Sequence, residues 1–320
     1  MIAVELVTDA ELRAHCCLEP IDRVAHDPET TAFRRRARLH QALWRENKGL
    51  AIGSQPMRPK PGQRSRPLGS RLSIDTARKS QANFLNEDIH RAVSLRLANH
   101  QPYQTLHEDR LYCDLLSSMP MCFNLFGILA ADLNMADRAV HTWWPDVPGR
   151  VSAVHFEWSP GRRLQGQYLE NRSAFDVAFE LQLQDGSRGI LGVETKYHEH
   201  CRPEKAPNDD RHRRYAEVTR RSGVMSSQSM STIIGTDLQQ IWLDHLLALS
   251  IPQHASGAWG WASFALVHPA RNPSYARATE RYGSLLEGTA SIHVSTIESL
   301  LASDVLPEST ASVFSERYLW

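Results

Sequence analysis

The sequence has almost no net charge: Lys plus Arg and Asp plus Glu number 36 each in 320 residues. A balanced chain has no overall field to draw it onto nucleic acid or an anionic membrane, so any basic surface is local. It has no CxxC pair. Its five cysteines, Cys16, Cys17, Cys113, Cys122 and Cys201, are odd in number, which argues against a disulfide framework and for a reducing cytoplasm. No apolar run reaches bilayer-spanning length, and residues 1–15 lack the basic stretch followed by an apolar one that marks a secretion signal. These absences point to a soluble, cytoplasmic chain with no membrane partner. GxSxG, GxGxxG and Walker patterns are missing, so serine hydrolase, dinucleotide enzyme and P-loop NTPase lack support. Acids are absent from residues 53–72, GSQPMRPKPGQRSRPLGSRL, which hold four prolines, three glycines and five basic residues. That composition predicts an exposed, extended segment, either a solvated linker or an arm contacting phosphates through Arg58, Lys60, Arg64, Arg66 and Arg71.

What is present supports a full core without staples. Residues 30–47, TTAFRRRARLHQALWREN, set Phe33, Ala37 and Trp44 at helical spacing with arginines between them, which predicts a surface helix. Residues 83–99 read as a helix capped by Asn86, and 108–133 as two apolar helical segments divided at Pro120, whose ring removes a backbone donor. From residue 150 the period changes. VSAVHFEW (151–158) and SAFDVAFELQL (173–183) alternate, GILGVETKY (189–197) is more continuously apolar, and WASFALVH (261–268) reads as a fourth strand. Helices are expected over 236–250, where Thr236 and Gln239 fit a capping box, and over 275–288; a short strand at 292–297 and a helical tail follow. This order predicts an α/β sheet covered on both faces. Residues 1–80 are expected to form a helical segment and basic linker, and 81–320 the main domain.

Strand parity carries the chemistry. Phe175, Val177, Phe179, Leu181 and Leu183 share one face with Leu191, Val193, Thr195 and Tyr197, while Asp176, Glu194 and Lys196 have the opposite parity. The turn is built on Asp185-Gly186. A loop of those two residues alone would set Asp176 opposite Thr195 and split the apolar face. An odd-length loop or a bulge is therefore expected, which sets Asp176 opposite Glu194 or Lys196 and gathers the three within cross-strand reach. Two nearby carboxylates suit a hard cation such as magnesium, which draws charge from a phosphate oxygen, and a lysine beside them can position a nucleophile and stabilise the transition state.

Asp176 on one strand and Glu194-Thr195-Lys196 on the next resemble the PD-(D/E)XK nuclease superfamily over residues 150–270, with Phe175 where the name has proline. The resemblance implies a restriction-endonuclease-like core, a central mixed β-sheet flanked by helices. It implies Asp176 and Glu194 as ligands of Mg2+, or of Mn2+ in its place, Lys196 as the catalytic lysine, and Gln240 on the following helix as a further catalytic position. Gln239 is set aside because the capping box would occupy it. SMPMCFNLFG with RSAFDVAFEL is similar to an uncharacterised bacterial subgroup of that superfamily, which carries the resemblance back toward residue 80. The implied activity is metal-dependent, endonuclease-type hydrolysis of phosphodiester bonds in nucleic acid, DNA before RNA. A non-catalytic nucleic-acid or protein binding module on the same fold is the alternative.

Other sets carry less. A second ExK, Glu46-Asn47-Lys48, ends a predicted helix with no strand or partner aspartate. Glu157 and Glu108 are each read as an accessory metal ligand or an ordinary surface acid. His198, His200 and Cys201 in HEHC offer zinc donors without a second pair at finger spacing. RHRRYAEVTRR (211–221) is a basic helix capped by Asp209 or Asp210, either solvated or touching phosphates with Tyr215 as a stacking surface.

Overall fold

Buried arginines and strand alternation shape this chain. The computed structural model describes residues 7–100, 106–160, 167–169, 171–288 and 291–320; residues 1–6, part of the N-terminal stretch read above, lie outside them. Helix α1 (Asp9–Ala14) and a 3-10 turn (Pro20–Asp22) lead into α2 (Pro28–Asn47). Asp27 caps α2 by accepting the Thr30 N–H, and Pro28 stands in its first turn, where a missing donor costs nothing. The helix is not on the surface, as its arginines suggested. Arg34, Arg38, Gln41 and Arg45 are buried beside Phe33, Ala37 and Trp44. Each guanidinium is supplied with oxygens, the condition for burying a charge. Arg38 binds Asp22 and donates to Ser70 Oγ (2.9 Å), Arg34 donates to the Ile21 and His198 carbonyls, and Arg45 to those of Gly69 and Leu50.

The basic segment is also corrected. Strands β1 (Ile52–Gln55) and β2 (Arg66–Leu72) pair antiparallel, with Leu68, Ser70 and Leu72 buried. Arg58 pairs with Asp109, Arg66 with Glu19, and Arg71 lies 3.8 Å from Asp114. Lys60 and Arg64, between the strands, are exposed. After α3 (Ile74–Ser80), α4 (Glu87–Ala98) starts where expected, with the Asn86 side chain accepting the Ile89 N–H. Then come α5 (Glu108–Cys113), α6 (Ser118–Phe126) and α7 (Leu133–Trp143). The break between α5 and α6 precedes Pro120. The proline sits in the first turn of α6, where no intrahelical bond is lost.

Strands β3 (Arg150–Trp158), β4 (Phe175–Gln182), β5 (Arg188–Thr195), β6 (Trp259–His268) and β7 (Ile292–Thr296) form one mixed sheet in that order. The first three pair antiparallel and the last three parallel. A parallel neighbour needs a crossover. Helices α8 (Asp209–Ser222), α9 (Ser227–Ser231) and α10 (Gln239–Ser250) supply the one from β5 to β6, and α11 (Pro273–Gly283) lies between β6 and β7. The chain closes with α12 (Ile297–Leu301) and α13 (Glu308–Tyr318). One core joins Val177, Phe179, Leu191 and Val193 to Phe123, Phe126 and Val140; a second joins Ala178, Ile190 and Phe264 to Trp242, Leu246 and Tyr282. This is the expected α/β fold, with helices on both faces of a mixed sheet. No single helix among the described residues is long and apolar enough to cross a membrane.

Candidate active site

The β4–β5 hairpin pairs Val177 with Val193 and Gln182 with Arg188. An odd-length loop of residues 183–187 joins the strands; the Asp185 carboxylate accepts the Ser187 N–H (2.9 Å), and Gly186 takes φ +85°. In this register the residues beyond the last pair are Asp176 and Glu194. The apolar face holds except at Phe175, which the parity placed with Val177. It packs instead in the second core, over Gly192, where a Cβ would fall inside its ring. At this end the ladder stops, and the Asp176 carboxylate takes the place of a backbone acceptor. It accepts the N–H of Thr195 (2.9 Å) and its hydroxyl (2.6 Å).

Lys196 Nζ donates to Glu194 Oε1 at 2.7 Å, and Asp176, Glu194, Lys196 and Gln240 all line one cleft of about 970 Å3. Burial holds the Asp176 carboxyl above its ordinary value, against the pull of Lys196. Burial, and then the Asp176 charge, push Glu194 well above the usual range. Burial opposes the Lys196 charge, but Glu194 and other nearby groups outweigh it and keep the ammonium protonated. The site therefore has more buried carboxylate than one lysine satisfies.

Two further acids, not singled out from the sequence, stand in the cleft. Asp244 lies one helical turn beyond Gln240 on α10, and burial pushes its carboxyl up to about 7. A lone acid in the apolar run QQIWLDHLLAL was the signal for it. Glu199 accepts from Ser118 Oγ (2.9 Å) and from the Tyr197 N–H (2.9 Å). Burial works against its charge, but Lys196 and the backbone N–H groups hold it below the ordinary value.

The capping box does not form. Thr236 donates to the Ile233 carbonyl, while Gln239 accepts the Gly235 N–H and donates to the Lys205 carbonyl. Gln239 is thus occupied by bonds other than those expected, and Gln240 faces the cleft. Glu157 lines it too, in a left-handed conformation (φ 51°) between the pairs Phe156–Val177 and Trp158–Phe175. Glu108 does not line it and lies 3.1 Å from Arg78. The second ExK is spent on ion pairs: Glu46 with Arg45, Lys48 with Glu316.

Zinc finds no site. His198 Nε2 lies 2.9 Å from Asp22, His200 Nδ1 meets Arg34 at 2.8 Å, and burial pushes the Cys201 thiol up to about 11. The basic helix is capped by Asn208, not by Asp209 or Asp210. Tyr215 is no stacking surface. It is buried edge-on to Trp242 with its hydroxyl accepting from Asn171.

Asp176 and Glu194 fit a hard divalent cation, because both carboxylates line the same cleft and burial holds both back from ionising without positive charge. Among the described residues no three His, Cys, Asp or Glu form a cage. Such a pair suits an ion that keeps water or substrate oxygens as its remaining ligands.

No curated protein and no solved structure matches the chain. The family model described as the PD-(D/E)XK nuclease superfamily matches residues 26–320, from the cap of α2 through the whole sheet to the C-terminal helix. The chain belongs to the PD-(D/E)XK nuclease superfamily.

Proposed function

We propose that this chain is a metal-dependent nuclease that hydrolyses phosphodiester bonds in DNA, with Asp176 and Glu194 as Mg2+ or Mn2+ ligands and Lys196 and Gln240 as catalytic partners. The observation that carries the reading is the Asp176–Glu194 pair at the end of the β4–β5 ladder, with the protonated Lys196 against Glu194 in one cleft. A bound magnesium or manganese ion supplies Lewis acidity toward a phosphate oxygen. The protein does the rest. Thr195 fixes the Asp176 carboxylate through two hydrogen bonds, so the ligand is oriented before any ion arrives. Lys196, kept charged, stabilises negative charge developing on the phosphate and orients the attacking water. Gln240 stands in the first turn of α10, where the helix dipole adds partial positive charge beside its amide donor. The main fold of residues 81–320 would carry this chemistry, with Ile21, Arg34, Arg38 and Ser70 among the residues before it that line the cleft. Purified protein incubated with plasmid and linear DNA in magnesium or manganese, against chelator, tests the reading. Cleavage with metal and none with chelator is expected; wild-type protein that binds DNA without cutting it in either metal indicates a binding module.

A further inference from the structure

The shape of the cleft narrows the substrate. Lys196, Glu194 and Asp244 are 6%, 9% and 9% exposed, so the reacting groups lie on its floor. The lining comes from the 3-10 turn, α2 and β2, from the segment His107 to Met119 that bridges to β2 through Arg71 and Asp114, and from α10. The volume, about 970 Å3, is at the upper end of the range for small-ligand pockets. With the reacting groups this deeply buried, a phosphodiester must enter the cleft to reach them.

The mouth has the chemistry of a single-strand path. Arg110, Arg172 and Arg202 line it, with the Arg110 and Arg202 side chains 42% and 74% exposed. Cations that track a backbone are half of such a path; sequence-tolerant contact with base faces is the other half. Ile21 lines the same cleft and is 66% exposed. Its mount is rigid. Arg34 donates to the Ile21 carbonyl (2.9 Å), and neighbouring Asp22, fully buried, is held by Arg38 and lies 2.9 Å from His198. Ile21 is thus an apolar side chain held at a fixed place beside these arginines, where it can pack on a base face.

We propose that the cleft admits one strand at a time, with Arg110, Arg172 and Arg202 drawing in its phosphates and Ile21 packing on a base at the mouth, so that the substrate is single-stranded or frayed DNA. The proposal rests on the nuclease reading for the chemistry at the floor. The test uses the full chain. In chelator, fluorescence anisotropy compares a labelled single-stranded oligonucleotide with a blunt duplex of the same sequence. The single strand is expected to bind at least about tenfold tighter. Ile21→Ala should weaken single-strand binding on the order of fivefold while leaving the duplex affinity and the thermal midpoint unchanged. In magnesium, circular single-stranded DNA should be cut faster than covalently closed duplex. Equal affinity for both forms, equal cutting of the two circles, or unchanged single-strand binding by Ile21→Ala overturns the proposal. Strand preference with no cleavage of any DNA in either metal supports this proposal and sinks the nuclease reading.

Discussion

Replacing Asp244 by Asn should change how the stability of the metal-free protein depends on pH. Burial moves the Asp244 carboxyl from an ordinary 3.8 to about 7, and since a tenfold change in proton affinity is about 1.4 kcal/mol, the shift corresponds to at most about 4 kcal/mol. The sign follows from proton counting. Between pH 3.8 and about 7 the folded chain holds the Asp244 proton more often than the unfolded chain does, so stability falls as pH rises through that window and levels off above it. Asp176 and Glu194, also raised, act in the same direction. Asn cannot ionise, so the difference in unfolding free energy between variant and wild type should grow in the variant's favour by about 2–4 kcal/mol from pH 4 to pH 8. Urea unfolding in chelator at unit steps of pH reads this directly. Parallel curves for the two proteins would refute the claim that burial holds the Asp244 proton.

Asp22→Ala should cost about 3–5 kcal/mol, because it strands buried Arg38 and Arg34; urea unfolding checks it, and a loss under 1 kcal/mol would show that the cluster is not an anchor. Gly192→Ala should destabilise by about 1–3 kcal/mol by pushing Phe175 off the sheet, a loss that a calorimetric scan would report and that Phe175→Leu should partly relieve. In the basic hairpin, neutralising Lys60 and Arg64 should flatten the salt dependence of DNA binding by about one unit of slope per contact. Neutralising Arg58 and Arg66, already paired with Asp109 and Glu19, should flatten it less; equal slopes for the two double variants would contradict this.

The sheet was legible in the sequence because alternation is a two-residue signal, and parity alone excluded a loop of Asp185-Gly186 without flanking residues. What parity could not reveal was Phe175, where the ladder ends and a missing Cβ at Gly192 lets the ring cross to the other core. Helix α2 was misjudged because arginine spacing reports charge, whereas burial depends on partners distant in sequence: Asp22, Ser70 and the Ile21 and His198 carbonyls. The proline-rich segment folds as a hairpin for a related reason. Only Leu68 and Leu72 are large and apolar there among those buried, and Leu72 packs with Trp44, Ala77, Cys113 and Leu115 from outside the segment. HEHC looked like a metal set because His and Cys are ligand types. Its histidines instead meet Asp22 and Arg34, fastening the chain after β5 to the N-terminal elements. Tyr215 followed the same rule, since Arg211 and Arg213 are exposed while its ring faces Trp242.

The central claim is that Asp176, Glu194 and Lys196 act together on a phosphodiester, and single-turnover cleavage measured beside DNA affinity for wild type, Asp176→Ala, Glu194→Ala and Lys196→Ala tests it most directly. Lys196→Ala should slow the chemical step by about 10²- to 10³-fold, as loss of one transition-state donor does. Its DNA affinity should stay within about tenfold, because one of many cationic contacts is lost. The two carboxylate variants should lose both cleavage and the stabilisation that magnesium or manganese gives the wild type. Wild-type rates in all three variants would contradict the account and place any cleavage elsewhere on the chain.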